Sequence, residues 1–287
     1  MQGELRFLPV AEVLNGWMPI LNKDMSLCIS LAARPSNIGT RFHNYLYDLL
    51  GLNFVYKAFA PTDIALAVAG IRGLPIRGAA VSMPYKEDVI ALVDVMDPSA
   101  KAIDSVNTIV NDDGILTAYN TDYIAIARLL KDHEVPNSHT VLLRGAGGMA
   151  KAVAAALRDA GFTAVTIVAR NETSGRALAG LYGFEWQAEV NGSTADLIIN
   201  VTPLGMAGSD EAVQSFDDAA IAAAEVVFDV VALPSETPLI AAARRAGKPV
   251  ITGAEVIAIQ AEEQFVLYTG VRPTPGQVRE ASEFSRR

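Results

Sequence analysis

Thr140-Val-Leu-Leu-Arg-Gly145-Ala-Gly-Gly-Met-Ala150-Lys-Ala-Val-Ala-Ala-Ala156 is the stretch that decides the fold. The run His139–Leu143 reads as a buried strand, and the alanine-rich segment from about Gly148 to Ala160 reads as a helix. Between them lies the pattern G-x-G-x-x-A. In that context Gly145 makes the tight turn, Gly147 lets backbone N–H groups approach a pyrophosphate, and Ala150 permits close packing of helix on strand. The helix N-terminus adds its partial positive charge. Gly145, Ala146, Gly147, Gly148, Met149 and Ala150 therefore predict a dinucleotide site.

The next strand, Ala164–Ala169, separates two cofactors. NAD sites close this strand with an acid that grips the ribose 2′-hydroxyl. Here it closes with Ala169-Arg170-Asn171, and Glu172 stands just beyond. Arg170 offers a planar cation to a 2′-phosphate, which points to NADP. Farther on, Asn200-Val201-Thr202-Pro203-Leu204-Gly205-Met206 follows the strand Asp196–Val201, at the end where open α/β sheets bind ligands. The same stretch also reads as a plain loop shaped by Pro203 and Gly205. Val230 and Gly253, at the ends of the strands Glu225–Val231 and Pro249–Thr252, are expected on the cofactor side with Asn200, Val201, Thr202 and Met206.

The whole chain has the α/β rhythm of short β-branched runs alternating with helix-period segments. In the first half, strands are expected at Ser26–Leu31, Asn53–Phe59, Gly78–Ser82 and Ser105–Val110. A helix between the first two carries Ile38, Phe42, Tyr45, Leu46, Leu49 and Leu50 on one face, with Gly51 closing it. Asn111–Gly114 predicts a hairpin turn into Ile115–Tyr119. In the second half, helices are expected at Glu172–Tyr182 and Pro238–Ala246, and the βαβ order predicts a parallel sheet. Two last helices, about Ala254–Thr269 and Pro275–Phe284, follow once that sheet is complete, and chain order suggests that they return to the first half. Residues 1–24 show no pattern.

Composition sets limits on partners. The chain has 287 residues, 51% of them hydrophobic, a formal net charge of −9 and no basic run. Nucleic acid and anionic membranes are therefore not expected partners. The single cysteine, Cys28, lies in an apolar run and reads as a buried strand residue in a reducing compartment. No signal-peptide pattern and no apolar stretch of about 20 residues occurs, so a cytoplasmic location is expected. No Cys/His cluster suggests a metal. His133 and His139 read as exposed loop residues, and His43 as a packing residue.

Hydride chemistry on an alcohol needs a group that takes and returns the hydroxyl proton. Lys86, on the loop Val81-Ser82-Met83-Pro84-Tyr85-Lys86, is one candidate. Asp122, in Asn120-Thr121-Asp122 at a helix start, is the other. Local chemistry alone reads them as a surface charge and as an N-cap or first-turn acid.

Taken together, Val81–Lys86, Ser105–Thr108, Asn120–Asp122, Gly145–Ala150, Asn200–Met206 and Gln260 resemble the shikimate dehydrogenase superfamily in order and interval. Arg34–Asp48 (RPSNIGTRFHNYLYD) is similar to its shikimate dehydrogenase-like branch. The resemblance implies a substrate domain made of both chain ends, residues 1–121 and 253–287. An NADP-binding Rossmann domain would span residues 122–252, with the active site in the cleft between the two. It also implies a place in aromatic amino acid biosynthesis, with interconversion of 3-dehydroshikimate and shikimate. Lys86 becomes the acid–base group and Asp122 its partner at the substrate hydroxyl. Asn107 and Gln260 become ligands of ring hydroxyls. Gln264, one turn beyond Gln260, shares its face, and Ser82 takes the place of the family's threonine.

The departures concern the carboxylate end. The family's two carboxylate-binding serines fall on Asn37 and Gly39, and its tyrosine falls on Ala232. Ser36, Asn37, Thr40 and Arg34 are the residues at hand to replace those donors, so quinate or an amino-shikimate relative stays open as substrate. A regulatory NADP-binding protein also stays open, although keeping both Lys86 and Asp122 argues against it. On the cofactor side, the family's second arginine falls on Ser174, with Arg176 displaced by two positions.

Overall fold

The computed structural model describes residues 21–286 of the chain, and most of the patternless stretch 1–24 lies outside them. The chain builds two six-stranded sheets. The first contains β1 (Ser26–Leu31), β2 (Phe54–Phe59), β3 (Gly78–Val81), β4 (Val95–Met96), β5 (Thr108–Asp112) and β6 (Ile115–Tyr119), in the order β2-β1-β3-β5-β6-β4. β1 runs parallel to β2 and β3, whereas β5 is antiparallel to β3 and β6. The β5–β6 hairpin turns where expected: Asp113 and Gly114 take φ of 50° and 91°, and Asn111 Oδ1 accepts from the Gly114 N–H at 2.7 Å.

Between β1 and β2 runs α1 (Asn37–Leu49), started by Ser36, whose hydroxyl accepts from the Ile38 N–H. It buries Phe42, His43, Leu46 and Tyr47. A second helix, α2 (Ile64–Gly73), was not foreseen in the sequence. Val68 and Ile71 are its buried face, yet Leu66 is 73% exposed, so its apolar residues draw no single stripe. A one-turn α3 (Pro98–Lys101) follows β4.

The strand expected over Ser105–Val110 begins only at Thr108. The Asn107 backbone still bonds both neighbours, its carbonyl accepting from the Val81 N–H at 2.8 Å and its N–H donating to the Tyr119 carbonyl at 3.1 Å. The Ser105 N–H, however, donates to the Ala100 carbonyl at 3.3 Å and the Val106 N–H to the Lys86 carbonyl at 2.9 Å. Ser105 and Val106 thus tie α3 and the lysine loop instead of extending the sheet.

The second sheet contains β7 (Val141–Arg144), β8 (Val165–Val168), β9 (Glu185–Gln187), β10 (Leu197–Asn200), β11 (Val226–Asp229) and β12 (Val250–Thr252), ordered β12-β11-β10-β7-β8-β9. Every pairing is parallel. This is the doubly wound Rossmann order, and its switch point lies between β7 and β10. The helices are α4 (Thr121–Asp132), α5 (Gly148–Asp159), α6 (Glu172–Tyr182), α7 (Asp218–Ala223) and α8 (Pro238–Arg245). Alternate strand residues serve opposite faces. Leu143, Ile167 and Ile199 pack under α5, while Leu142, Ile198 and Val227 pack with Phe216 and α8.

The last two helices, α9 (Gly253–Thr269) and α10 (Pro275–Ser285), return to the first sheet. Phe265 and Tyr268 of α9 join Phe42, Leu46 and Tyr56, and α10 packs on α1. Among the described residues no helix is long and apolar enough to cross a membrane.

Candidate active site

Asn120 caps α4 through a bond from the Tyr123 N–H at 3.0 Å, which places Asp122 in the first helical turn. The positive end of the helix complements its carboxylate. Lys86 approaches from the loop after β3, and its Nζ donates to Asp122 Oδ2 at 2.7 Å. The lysine side chain is 27% exposed and the aspartate 8%, so the pair is shielded yet open on the lysine side. Asn107 is buried nearby. Its Oδ1 is used by Thr121 and Thr108, but its Nδ2 has no hydrogen-bond partner. A buried donor left free in this way is costly unless a ligand takes it.

Lys86 also lines a cavity of about 370 Å³. Ser82, Gln260 and Gln264 share its wall, with Arg34, Ser36 and Tyr56. Gln264 Nε2 is tied to Thr108 Oγ1 at 3.0 Å. Asn37, the first residue of α1, is exposed and is not part of the wall, and neither is Thr40. The candidates to replace the family's serines thus narrow to Arg34 and Ser36. His43 closes the cavity floor, stacked on Tyr56 with centroids 4.5 Å apart. Burial lowers its pKa to about 3, opposed by Gln264 beside it, so the ring is neutral. Arg34 and Lys86 are then the charged groups of a wall that carries no carboxylate among the described residues. Such a wall suits an anion.

A second cleft, of about 870 Å³, opens at the switch point. Gly145, Ala146 and Gly147 line it from one side, Ala169, Arg170 and Asn171 from the next strand, and Thr202 from the third. Gly145 has φ of 127°, and a Cβ there would stand 2.6 Å from Val201 Cγ2. Every other α-helix among the described residues has its N-terminus capped by a Ser, Thr, Asp or Asn side chain. Gly147 caps α5 with none, so the first N–H groups of that helix are bare. A glycine cradle under bare N–H groups fits a pyrophosphate.

The remaining predicted cofactor residues take other places. Asn171 lines the cleft, but its Oδ1 caps α6 by accepting from the Ser174 N–H at 3.0 Å. Asn200 is fully buried and organises the loop, bonding Asp229 at 3.0 Å and Thr202 Oγ1 at 2.6 Å. Gly148, Met149, Ala150, Val201, Met206, Val230 and Gly253 are not in the cleft wall. Ala150 is buried in the first turn of α5, and Met206 is 46% exposed. Gly253 lets α9 start against β11, since a Cβ there would stand 2.4 Å from the Val230 carbonyl oxygen.

Some wall residues were missed in the sequence. Arg144 and Glu189 line the cofactor cleft, and Tyr56 lines the smaller cavity. Arg144 left a signal, a lone charge ending an apolar strand, whereas Tyr56 reads as ordinary strand core. Beside Lys86, Glu87 pairs with Lys151 of α5 at 3.4 Å, so the Gly-rich helix and the lysine loop are neighbours.

Comparison with known proteins decides the family. Residues 37–109 match the shikimate dehydrogenase substrate binding domain. A shikimate dehydrogenase-like protein of Haemophilus influenzae is 52% identical over 268 residues, covering 93% of this chain and 99% of its own. A shikimate dehydrogenase (NADP(+)) of Citrifermentans bemidjiense is 35% identical over 258 residues, covering 83% of this chain and 88% of its own. This chain belongs to the shikimate dehydrogenase superfamily. It is an oxidoreductase of that superfamily's shikimate dehydrogenase-like branch. The shikimate 5-dehydrogenase of Thermus thermophilus, solved with NADP(H) and shikimate, superposes with a TM-score of 0.80 at 28% identity over 91% of this chain and all (100%) of that one.

Proposed function

We propose that the protein interconverts shikimate, or a close cyclic hydroxy-acid, and its 3-dehydro form with NADP(H). The observation that carries this reading is the Lys86–Asp122 contact of 2.7 Å, with Lys86 on the wall of a cavity that bears cations and no carboxylate among the described residues. During oxidation the Lys86 amine takes the proton of the ring hydroxyl and becomes the ammonium, and during reduction that ammonium returns the proton. Asp122 holds the same hydroxyl and orients the ammonium. Asn107 Nδ2 and Gln260 supply donors to the neighbouring ring hydroxyls, with Ser82 and Gln264 beside them.

Arg34 and Ser36 hold the carboxylate in place of the serines that the family uses. A guanidinium makes paired charge-assisted hydrogen bonds, so one arginine offsets two lost hydroxyls. NADP(H), when bound, supplies or accepts the hydride. The turn at Gly145–Gly147 holds its pyrophosphate and Arg170 its 2′-phosphate. The names of the Citrifermentans and Thermus proteins support both ligands. In this reading residues 1–121 and 253–287 form the substrate-binding and catalytic part, and residues 122–252 bind the nucleotide.

The test is a substrate survey with the wild-type protein. Shikimate, quinate and amino-shikimate are each offered with NADP⁺ and NAD⁺, and nicotinamide reduction is followed by absorbance. The reading predicts NADP⁺-dependent turnover of shikimate or one of these ring acids. Tight NADP(H) binding with no turnover of any ring acid would instead mark a nucleotide-binding regulator.

A further inference from the structure

The family's second arginine falls on Ser174, and the structure shows that nothing nearby on α6 takes over its charge. Ser174 Oγ donates to the Asn171 carbonyl at 3.3 Å. Arg176 lies over Trp186 at 4.3 Å from the ring centre and pairs with Glu172 at 2.8 Å, outside the cleft wall.

A different arginine does face the cleft. Arg144 ends β7, directly before Gly145, and lines the cleft beside Arg170. It is half-buried, its guanidinium 6.0 Å from the Phe216 ring centre. Neither Arg144 nor Arg170 forms an ion pair among the described residues. Burial pushes the pKa of Arg144 down, Glu189 opposes this, and the like charge of Arg170 adds to it. A half-buried cation with a ring contact but no ion pair, set beside another cation, is an unfavourable arrangement. A bound dianion reverses the sign of both costs.

We propose that Arg144, reaching from β7, is the second cation that recognises the phosphate monoester on the adenosine ribose of the cofactor. The inference rests on the NADP(H) reading above. Glu189 and Asp210 are the acids on the same cleft wall. Glu189, which acts electrostatically on Arg144, limits how strongly the site prefers the phosphorylated ribose.

Equilibrium binding without turnover tests this, with adenosine 2′,5′-bisphosphate and 5′-AMP as probes. Wild-type protein should bind the bisphosphate more tightly. Arg144→Ala should weaken the bisphosphate about tenfold or more and 5′-AMP by less than about twofold. Arg144→Lys should fall between, and Glu189→Gln should tighten the bisphosphate alone. Retained 5′-AMP binding shows that each variant is folded. Equal losses for both probes in Arg144→Ala, or no loss for either, would overturn the proposal. If Arg170→Ala loses the bisphosphate and Arg144→Ala does not, only the role of Arg144 fails. A wild-type protein that binds both probes equally overturns the NADP(H) reading along with it.

Discussion

At the scale of single residues, the site depends on contacts between groups far apart in sequence. Lys86 and Asp122 meet across 36 positions, and Gln264 reaches Thr108 across 156. Each is polar for a local reason as well, as a loop lysine or a first-turn acid, which is why local chemistry alone did not single them out. The order of several motifs did. In the proposed function Arg34 carries the recognition of the substrate carboxylate. Arg34→Ala should raise KM for the ring acid about ten- to hundredfold while kcat changes much less, because the lost contact is made equally in ground and transition states. Steady-state kinetics on the acid and on its carboxamide would check this. The variant and wild type should differ little on the carboxamide, which lacks the charge.

At the scale of elements, the strands and helices of the second half were legible because one physical rule repeats there. Apolar runs closed by glycine or by a capping residue alternate at short spacing, and the structure has β7, β8, β10, β11 and β12 within a residue or two of the expected runs. Elements without that contrast were missed. β9 is three residues long, α7 six, and α2 exposes Leu66. The strand expected from Ser105 starts late because the Ser105 and Val106 N–H groups go to α3 and to the lysine loop rather than to the sheet. Whether a wall residue faces its cavity depends on a helix's rotation, which sequence leaves loose; Asn37 shows this. The start of α9 is a tighter case. Thr252 and Glu255 form a capping box, and Gly253 sits against the Val230 and Val231 backbone. Gly253→Ala should destabilise the fold by about 1–3 kcal/mol, read as a lowered urea midpoint. It should also disturb Gln260 and Gln264, which α9 carries, so KM should rise alongside.

At the scale of the whole molecule, the first sheet and the returning helices share one aromatic core, and His43 is its single ionisable imidazole. The ring stacks between Tyr56 and Phe265 and is almost fully buried. Its pKa falls from 6.5 to about 3, chiefly by burial. Above pH 6.5 the imidazole is neutral in folded and unfolded chains alike. Between about pH 6.5 and 3 the unfolded chain binds a proton that the folded one refuses, so stability falls as pH falls through that window. The slope from this group is up to about 1.4 kcal/mol per pH unit. His43→Phe should flatten it, measured by urea unfolding from pH 7 to 4, and an unchanged slope would assign the acid sensitivity elsewhere. Cys28 in the same core is chemically quiet, since burial pushes its thiol pKa up to about 12.

The two sheets meet around one proposed chemical event, the proton transfer at Lys86 beside the Gly145–Gly147 turn. The most direct measurement compares wild type with Lys86→Ala in ring-acid oxidation and, by fluorescence titration, in NADPH affinity. The account predicts a rate lower by about 10² or more with NADPH affinity nearly unchanged. A variant that turns over at the wild-type rate would contradict it.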